Sequence, residues 1–260
     1  VASTAIRPVL TVPGTARVLG TSAYATWLLV AGAVVVVSTR DATRLPNSVE
    51  ISATAHDDVF RSVGHGDRAT MRANRISFDH FAVSVTRWWD PRPALPACTA
   101  ESLARTAAGL PDQTARVPSD GLRLAVANGS PPQLLHAAEE LLGRGTGLTP
   151  AGDDYLAGAL AALRLLGPVC GLTAPDRLLT AVRTPLLHLA RQRTTAFSAT
   201  LLEHAIGGRV AAPAAALLRA LTGRGDVATT HRGLGEVGHS SGPALAAGIV
   251  LGTQSLIHWR

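Results

Sequence analysis

The sequence predicts an α+β protein. A small, mostly antiparallel β domain, a barrel or a sandwich, is expected over residues 1–95, and a larger Ala/Gly-rich α-helical domain over 96–260. Three observations carry this. Residues 15–92 hold β-branched runs and apolar alternation bounded by turn residues. From about residue 99 the apolar residues recur at helical spacing. Between the two lies DPRPALPAC (90–98), whose three prolines read as a linker.

In the first half, TARVLGTSAYATWLLVAGAVVVVSTR carries the strongest β signal. Its segment WLLVAGAVVVV (27–37) is too short to span a bilayer and reads as buried strand. LPNSVEISA follows, with Pro46, Asn47 and Ser48 as a turn before alternating Val49 and Ile51. The last β stretch, 66–89, alternates through Ile76, Phe78, Phe81, Val83 and Val85. In the second half seven segments have helical spacing: ESLARTAAGL, PPQLLHAAEELLG, DYLAGALAALRLLG, PDRLLTAVRTPLLHLARQRT, FSATLLEHAIGG, APAAALLRALTG and PALAAGIVLGTQSLIHW. Glycines close several of them, as C-caps do.

Composition narrows the function classes. With 47% apolar and 16% charged residues the chain is globular, not disordered. The net charge is +6 and all 24 basic residues are arginine. Arginine suits carboxylates and phosphates, and GC-rich coding gives the same bias. The arginines are scattered, with no basic stripe interleaved with aromatics, which argues against nucleic acid as a partner. No membrane partner is expected either. Cys98 and Cys170 are distant in sequence and lack metal spacing, so a reduced, cytoplasmic protein is expected. The chain opens on Val1 and its one methionine is Met71, as a trimmed N-terminus or a non-ATG start would give.

The most informative stretch is GRGTGLTPAGDDYLAG (143–158). Gly145, Gly147 and Gly152 allow main-chain N–H groups to line a concave loop. Thr149 or Asp153 can cap the following helix, and Pro150 suits its entry. A helix start with free N–H donors is a seat for an anion. GHSSGPALAAG (238–248) echoes the pattern: Gly152 to Gly158 and Gly242 to Gly248 share one spacing, and two such starts face to face would form one pocket. The adjacent Asp153 and Asp154 read as first-turn acids, as a base, or as ligands of magnesium or manganese together with His239. Thr194, Thr195 and Ser198, with Arg191 or Arg193, form a row of hydroxyls beside a cation; helix capping by a threonine accounts equally for them.

Several chemistries lack their motif. GHSSG, with His239, Ser240 and Ser241, is not a G-x-S-x-G elbow. His56, His65, His136, His188 and His231 show no HExxH spacing. Without lysine the chain has no GxxxxGK[ST] phosphate loop.

The Gly145–Gly158 pattern G-x-G-L-T-P-x-G-D-D-x-L-A-G resembles the signature of a bacterial family that includes the AllH-type subunit of oxamate carbamoyltransferase, from anaerobic allantoin degradation. TTAFSATLLEHAIGG and GHSSGPALAAGIVLG are similar to its later blocks in the same order, and LPNSVEI to its N-terminal pattern. The resemblance implies carbamoyl transfer between carbamoyl phosphate and oxamate, giving oxalurate and phosphate, within an enzyme of several different subunits. In the reverse direction oxalurate is phosphorolysed. No cofactor is certain, magnesium being the one candidate. Gly145, Gly147, Thr149, Pro150, Gly152, Arg193, Thr194, Thr195, Ser198, Ser240, Ser241 and Gly242 are then the candidate ligand-binding residues, and Asp153, Asp154 and His239 the candidate catalytic ones. Two readings compete with it: a non-catalytic subunit that binds a small anion and scaffolds or regulates a catalytic one, and a magnesium-dependent enzyme built on Asp153 and Asp154.

Overall fold

The run Trp27–Val37, expected as one strand, folds as a hairpin. Strands β3 (Ala25–Val30) and β4 (Ala33–Ser38) pair antiparallel around Ala31 and Gly32. Both turn residues have positive φ, 47° and 84°, the two-residue turn whose twist matches that of the strands. The Ala-Gly step inside the apolar run was the signal for this break.

The structure is a computed structural model that describes residues 1–110 and 120–259. Its internal contacts divide it into two compact units, Val1–Pro91 and Arg92–Arg260.

The first unit is a single nine-stranded sheet. Its remaining strands are β1 (Ala2–Ser3), β2 (Gly14–Thr21), β5 (Ser48–Glu50), β6 (Arg68–Arg72), β7 (Arg75–Ser77), β8 (Ala82–Ser84) and β9 (Trp88–Trp89). The order is β8-β7-β6-β2-β3-β4-β5-β1-β9, antiparallel except at β4–β5 and β1–β9. The edge strands β8 and β9 belong to one stretch of chain. The Val85 N–H bonds to the Asn74 carbonyl, and the Arg87 carbonyl accepts from the Ala2 N–H, so the stretch passes from one end of the sheet to the other. The sheet therefore curls round upon itself, as in a barrel rather than a sandwich. Alternate residues Ala16, Val18, Leu28, Val30, Val35, Val37, Ala69 and Met71 fill its interior, with Leu10 from the short helix α1 (Arg7–Thr11) and Phe60.

The second unit is helical: α2 (Ala100–Ala107), α3 (Asp120–Ala127), α4 (Pro131–Leu141), α5 (Ala151–Val169), α6 (Ala174–Arg193), α7 (Ala196–Ile206), α8 (Ala212–Leu221), α9 (Val227–Gly235) and α10 (Ser241–Ile257). The seven expected segments are joined by α3 and α9. Helix α9 escapes a sequence reading because Thr229, Thr230 and two glycines are weak helix formers. It is held by the Asp226 cap, whose Oδ1 accepts the Thr229 N–H at 2.7 Å. No helix among the described residues is long and apolar enough to cross a membrane.

Helix α5 is the axis of this unit. Every residue from Gly152 to Leu163 is buried, as a helix apolar on all sides requires. Its closest neighbour is α10. A methyl group at Gly158 would stand 2.2 Å from the Leu245 carbonyl oxygen, and one at Gly248 would stand 2.0 Å from that of Tyr155. Gly252 meets Ala159 and Ala162. Residue numbers rise together along both helices, so α5 and α10 run parallel with their N-termini at the same end.

Candidate functional site

That shared end is where the glycine-rich loop sits. Helix α5 begins with Pro150 as its N-cap, so no side chain caps it: neither Thr149 nor Asp153 does so, contrary to the sequence reading. The side chains are drawn elsewhere. The Thr149 hydroxyl meets the Ser241 hydroxyl at 2.6 Å, joining the starts of α5 and α10. The Thr195 hydroxyl donates to the Leu148 carbonyl at 2.6 Å and accepts from the Ser198 N–H at 3.0 Å, so it caps α7 while tying that helix start to the loop. Three helix N-termini thus meet around residues 148–154. Each brings the partial positive charge of a helix start, and three together favour an anion more than any one alone.

The adjacent aspartates have different surroundings. Asp153 is buried and has both oxygens engaged. Oδ1 accepts the Gly143 N–H at 2.8 Å, and Oδ2 accepts the Thr194 hydroxyl. It binds the turn after α4 to the α6–α7 junction. Asp154 is also buried, yet its Oδ2 has no hydrogen-bond partner. Burial pushes its carboxyl up to about 7; hydrogen bonding to Ser241 pulls it down, neighbouring Asp153 raises it again and Thr149 lowers it. Asp154 is therefore a proton donor and acceptor near neutral pH, set beside the three helix starts. The Ser198 hydroxyl oxygen, in the first turn of α7, is likewise buried and unpartnered.

The glycines act mainly through packing. A side chain at Gly152 would strike the Leu141 carbonyl at 2.1 Å, and one at Gly242 the Leu234 carbonyl at 2.1 Å. Gly145, at φ +126°, lies close to the Ala151 nitrogen, whereas Gly147 faces open space at φ +89°. Arg193 is exposed and paired with Glu139, and Arg191 lies 3.5 Å from Glu203. Ser240 is the N-cap residue of α10 but makes no side-chain cap bond. His239 is exposed, and no group of three or more His, Cys, Asp or Glu side chains comes together among the described residues. The magnesium set Asp153, Asp154 and His239 is therefore not assembled.

Two residues were missed in the sequence. Arg144 lies on the loop itself, exposed, with no ion pair among the described residues, and its Cβ packs beside Gly152. The sequence reading passed over it for Arg191 and Arg193, which carry partners. His204 on α7 is buried with an unpartnered Nδ1; burial first and Arg209 second lower its pKa to about 4. Nothing in the spacing of the histidines singles it out.

The loop thus defines an α+β chain with a buried, near-neutral acid where three helix starts meet. Residues 141–253, which include this whole arrangement, match the family described as oxamate carbamoyltransferase subunit AllH. The resemblance carried by the Gly145–Gly158 block therefore holds over that stretch, all of it in the helical unit. No curated protein and no solved structure matches the chain.

Proposed function

We propose that this chain is a subunit of an oxamate carbamoyltransferase-like enzyme and that small anions bind where α5, α7 and α10 begin. The observation that supports this best is the buried Asp154 carboxyl, with a free Oδ2, beside helix N-termini within the matched stretch. Loop N–H groups and the Arg144 guanidinium hold the phosphate or carboxylate of carbamoyl phosphate, oxamate or oxalurate. A bound anion disfavours the ionised form of Asp154, so its acid form predominates in the complex. That form suits oxalurate phosphorolysis. Phosphate attacks the carbamoyl carbon, the bond from carbon to the oxamate nitrogen breaks, and Asp154 donates its proton to that nitrogen. Carbamoyl phosphate and oxamate leave. In the reverse direction the Asp154 carboxylate accepts the proton of the attacking amide. Other subunits complete the enzyme.

The test is titration of the purified chain with oxamate and with carbamoyl phosphate at pH 6 and pH 8, using the wild type, D154N and R144A. Ligand that binds only the folded state raises the melting temperature. The wild type should bind more tightly at pH 6, D154N equally at both, and R144A weakly at both. Binding that ignores pH, Asp154 and Arg144 alike would refute the site. Binding by the isolated chain, with turnover absent even after its companion subunits are restored, would leave it the anion-binding scaffold.

A further inference from the structure

The two cysteines are distant in sequence and adjacent in space. Cys98 precedes α2, and Cys170 is the residue that ends α5. Their sulfurs stand 2.9 Å apart. A second, independent contact holds the strands of chain together: the Cys98 N–H donates to the Val169 carbonyl at 2.9 Å. Closing by less than about 1 Å brings the sulfurs to disulfide bonding distance. Both cysteines are free and half-buried, which leaves them within reach of a small reagent. Neither belongs to the anion site, which lies at the opposite end of α5.

We propose that Cys98 and Cys170 are a redox modification site, oxidised reversibly to an intramolecular disulfide by a small-molecule disulfide of the oxidised-glutathione class. The steps balance as thiol–disulfide exchange. One cysteine thiolate attacks a sulfur of the oxidant, forming a mixed disulfide and expelling one thiolate of the reagent. The second cysteine loses its proton and attacks the protein sulfur of that mixed disulfide. The protein disulfide forms, the second reagent thiolate leaves, and both take up protons. Two protein thiols are oxidised and one reagent disulfide is reduced. The opening attack belongs to Cys98. Burial, and then the hydrogen bond and charge of Cys98, push the Cys170 thiol up to about 12, which keeps it protonated until the mixed disulfide has formed. In a reducing compartment the pair rests as two thiols; under an oxidising poise it closes.

Closure ties the segment leading into α2 to the end of the central helix and shuts a loop of some seventy residues. Such a loop constrains the unfolded chain strongly, so the oxidised protein should melt about 5–10 °C higher than the reduced one. The experiment exposes the full chain to oxidised glutathione, removes the reagent, and measures intact mass, peptide linkage and melting temperature, for the wild type, C98S and C170S. The wild type should lose two hydrogens, yield a Cys98–Cys170 linked peptide and gain the melting shift, all reversed by dithiothreitol. C98S should resist the reagent, and C170S should stop at a mixed disulfide on Cys98. The melting temperatures of the three reduced proteins, compared side by side, show that the serines have not unfolded the chain. Two stable glutathione adducts on the wild type, or no linked peptide at any reagent concentration, would overturn the proposal.

Discussion

At the scale of single residues, Asp153 and Asp154 show how one step along a helix changes a carboxyl's work. Asp153 makes two hydrogen bonds that bridge three segments, one to the Gly143 N–H and one to the Thr194 hydroxyl. Removing it leaves a main-chain donor and a hydroxyl without their acceptor, at about 1–3 kcal/mol for each group so stranded. D153A is therefore expected to lower stability by about 2–4 kcal/mol, read by urea denaturation. D153N keeps one acceptor oxygen and should lose about half of that. D154N should behave in the opposite way at pH 8, with stability equal to or above the wild type, because it removes a charge whose burial is unfavourable. A D153A protein as stable as the wild type would show that the clasp contributes nothing. The sequence marked the pair as special, but not which member was which. Both stand in the first turn of α5, and only the partners at positions 143 and 194 separate them.

At the scale of elements, the α5–α10 pair is held by close approach. Tyr155 offers its carbonyl oxygen to the space above Gly248, so a methyl group there meets main chain that no rotamer change can move aside. The helices must separate instead. G248A is expected to cost about 3 kcal/mol or more, a fall of roughly 6–12 °C in melting temperature by calorimetry. G147A is the matched comparison. Gly147 faces open space at φ +89°, so only the left-handed backbone is penalised, by about 1–2 kcal/mol. If the two substitutions cost the same, packing is not what Gly248 serves. These helices were readable from their periodicity, and the shared glycine spacing at 152/158 and 242/248 was visible as well. The spacing did not say that Gly158 and Gly248 make the helix contact while Gly152 and Gly242 meet the Leu141 and Leu234 carbonyls. Glycine in a sequence signals permission for a close approach or for positive φ, and the partner decides which. The Ala31-Gly32 turn was missed for a related reason: flanking valines extend the β pattern through the Ala-Gly step, and pairing across the hairpin shows that the step is a turn.

At the scale of the whole molecule, the α+β division was legible because strand and helix periodicities do not mix along this chain. Individual long-range contacts were not legible: the pairing of Cys98 with Cys170, and the hydroxyl contact of Thr149 with Ser241 within the facing helix starts, depend on residues far apart in sequence. Two buried titratable groups of the helical unit, Asp154 and His204, act on global stability in opposite senses. Asp154 has its folded value raised from 3.8 to about 7. Between those values the folded state holds a proton that the unfolded state has released, so stability falls as pH rises, by roughly 4 kcal/mol in all, and the loss is complete above pH 7. His204 has its folded value lowered from 6.5 to about 4. Its contribution is full above 6.5 and is lost as pH falls toward 4, by roughly 3 kcal/mol. Over the window from 4 to 6.5 the two slopes oppose each other, and the wild type should show a shallow dependence of stability on pH. D154N lacks the aspartate's slope, so its stability should climb relative to the wild type from pH 4 to 7. H204L lacks the histidine's slope, so its stability should decline relative to the wild type from pH 4 to 6.5. Urea denaturation of the three proteins at intervals across that range measures both differences. The exposed acids Asp41, Asp57 and Asp226, whose values lie below the ordinary one, are common to all three proteins and cancel in the comparison. Variant curves that run parallel to the wild type would mean that neither group changes its protonation on folding. The unpartnered Asp154 oxygen would then be an ordinary solvated one rather than the buried acid on which the proposed chemistry depends.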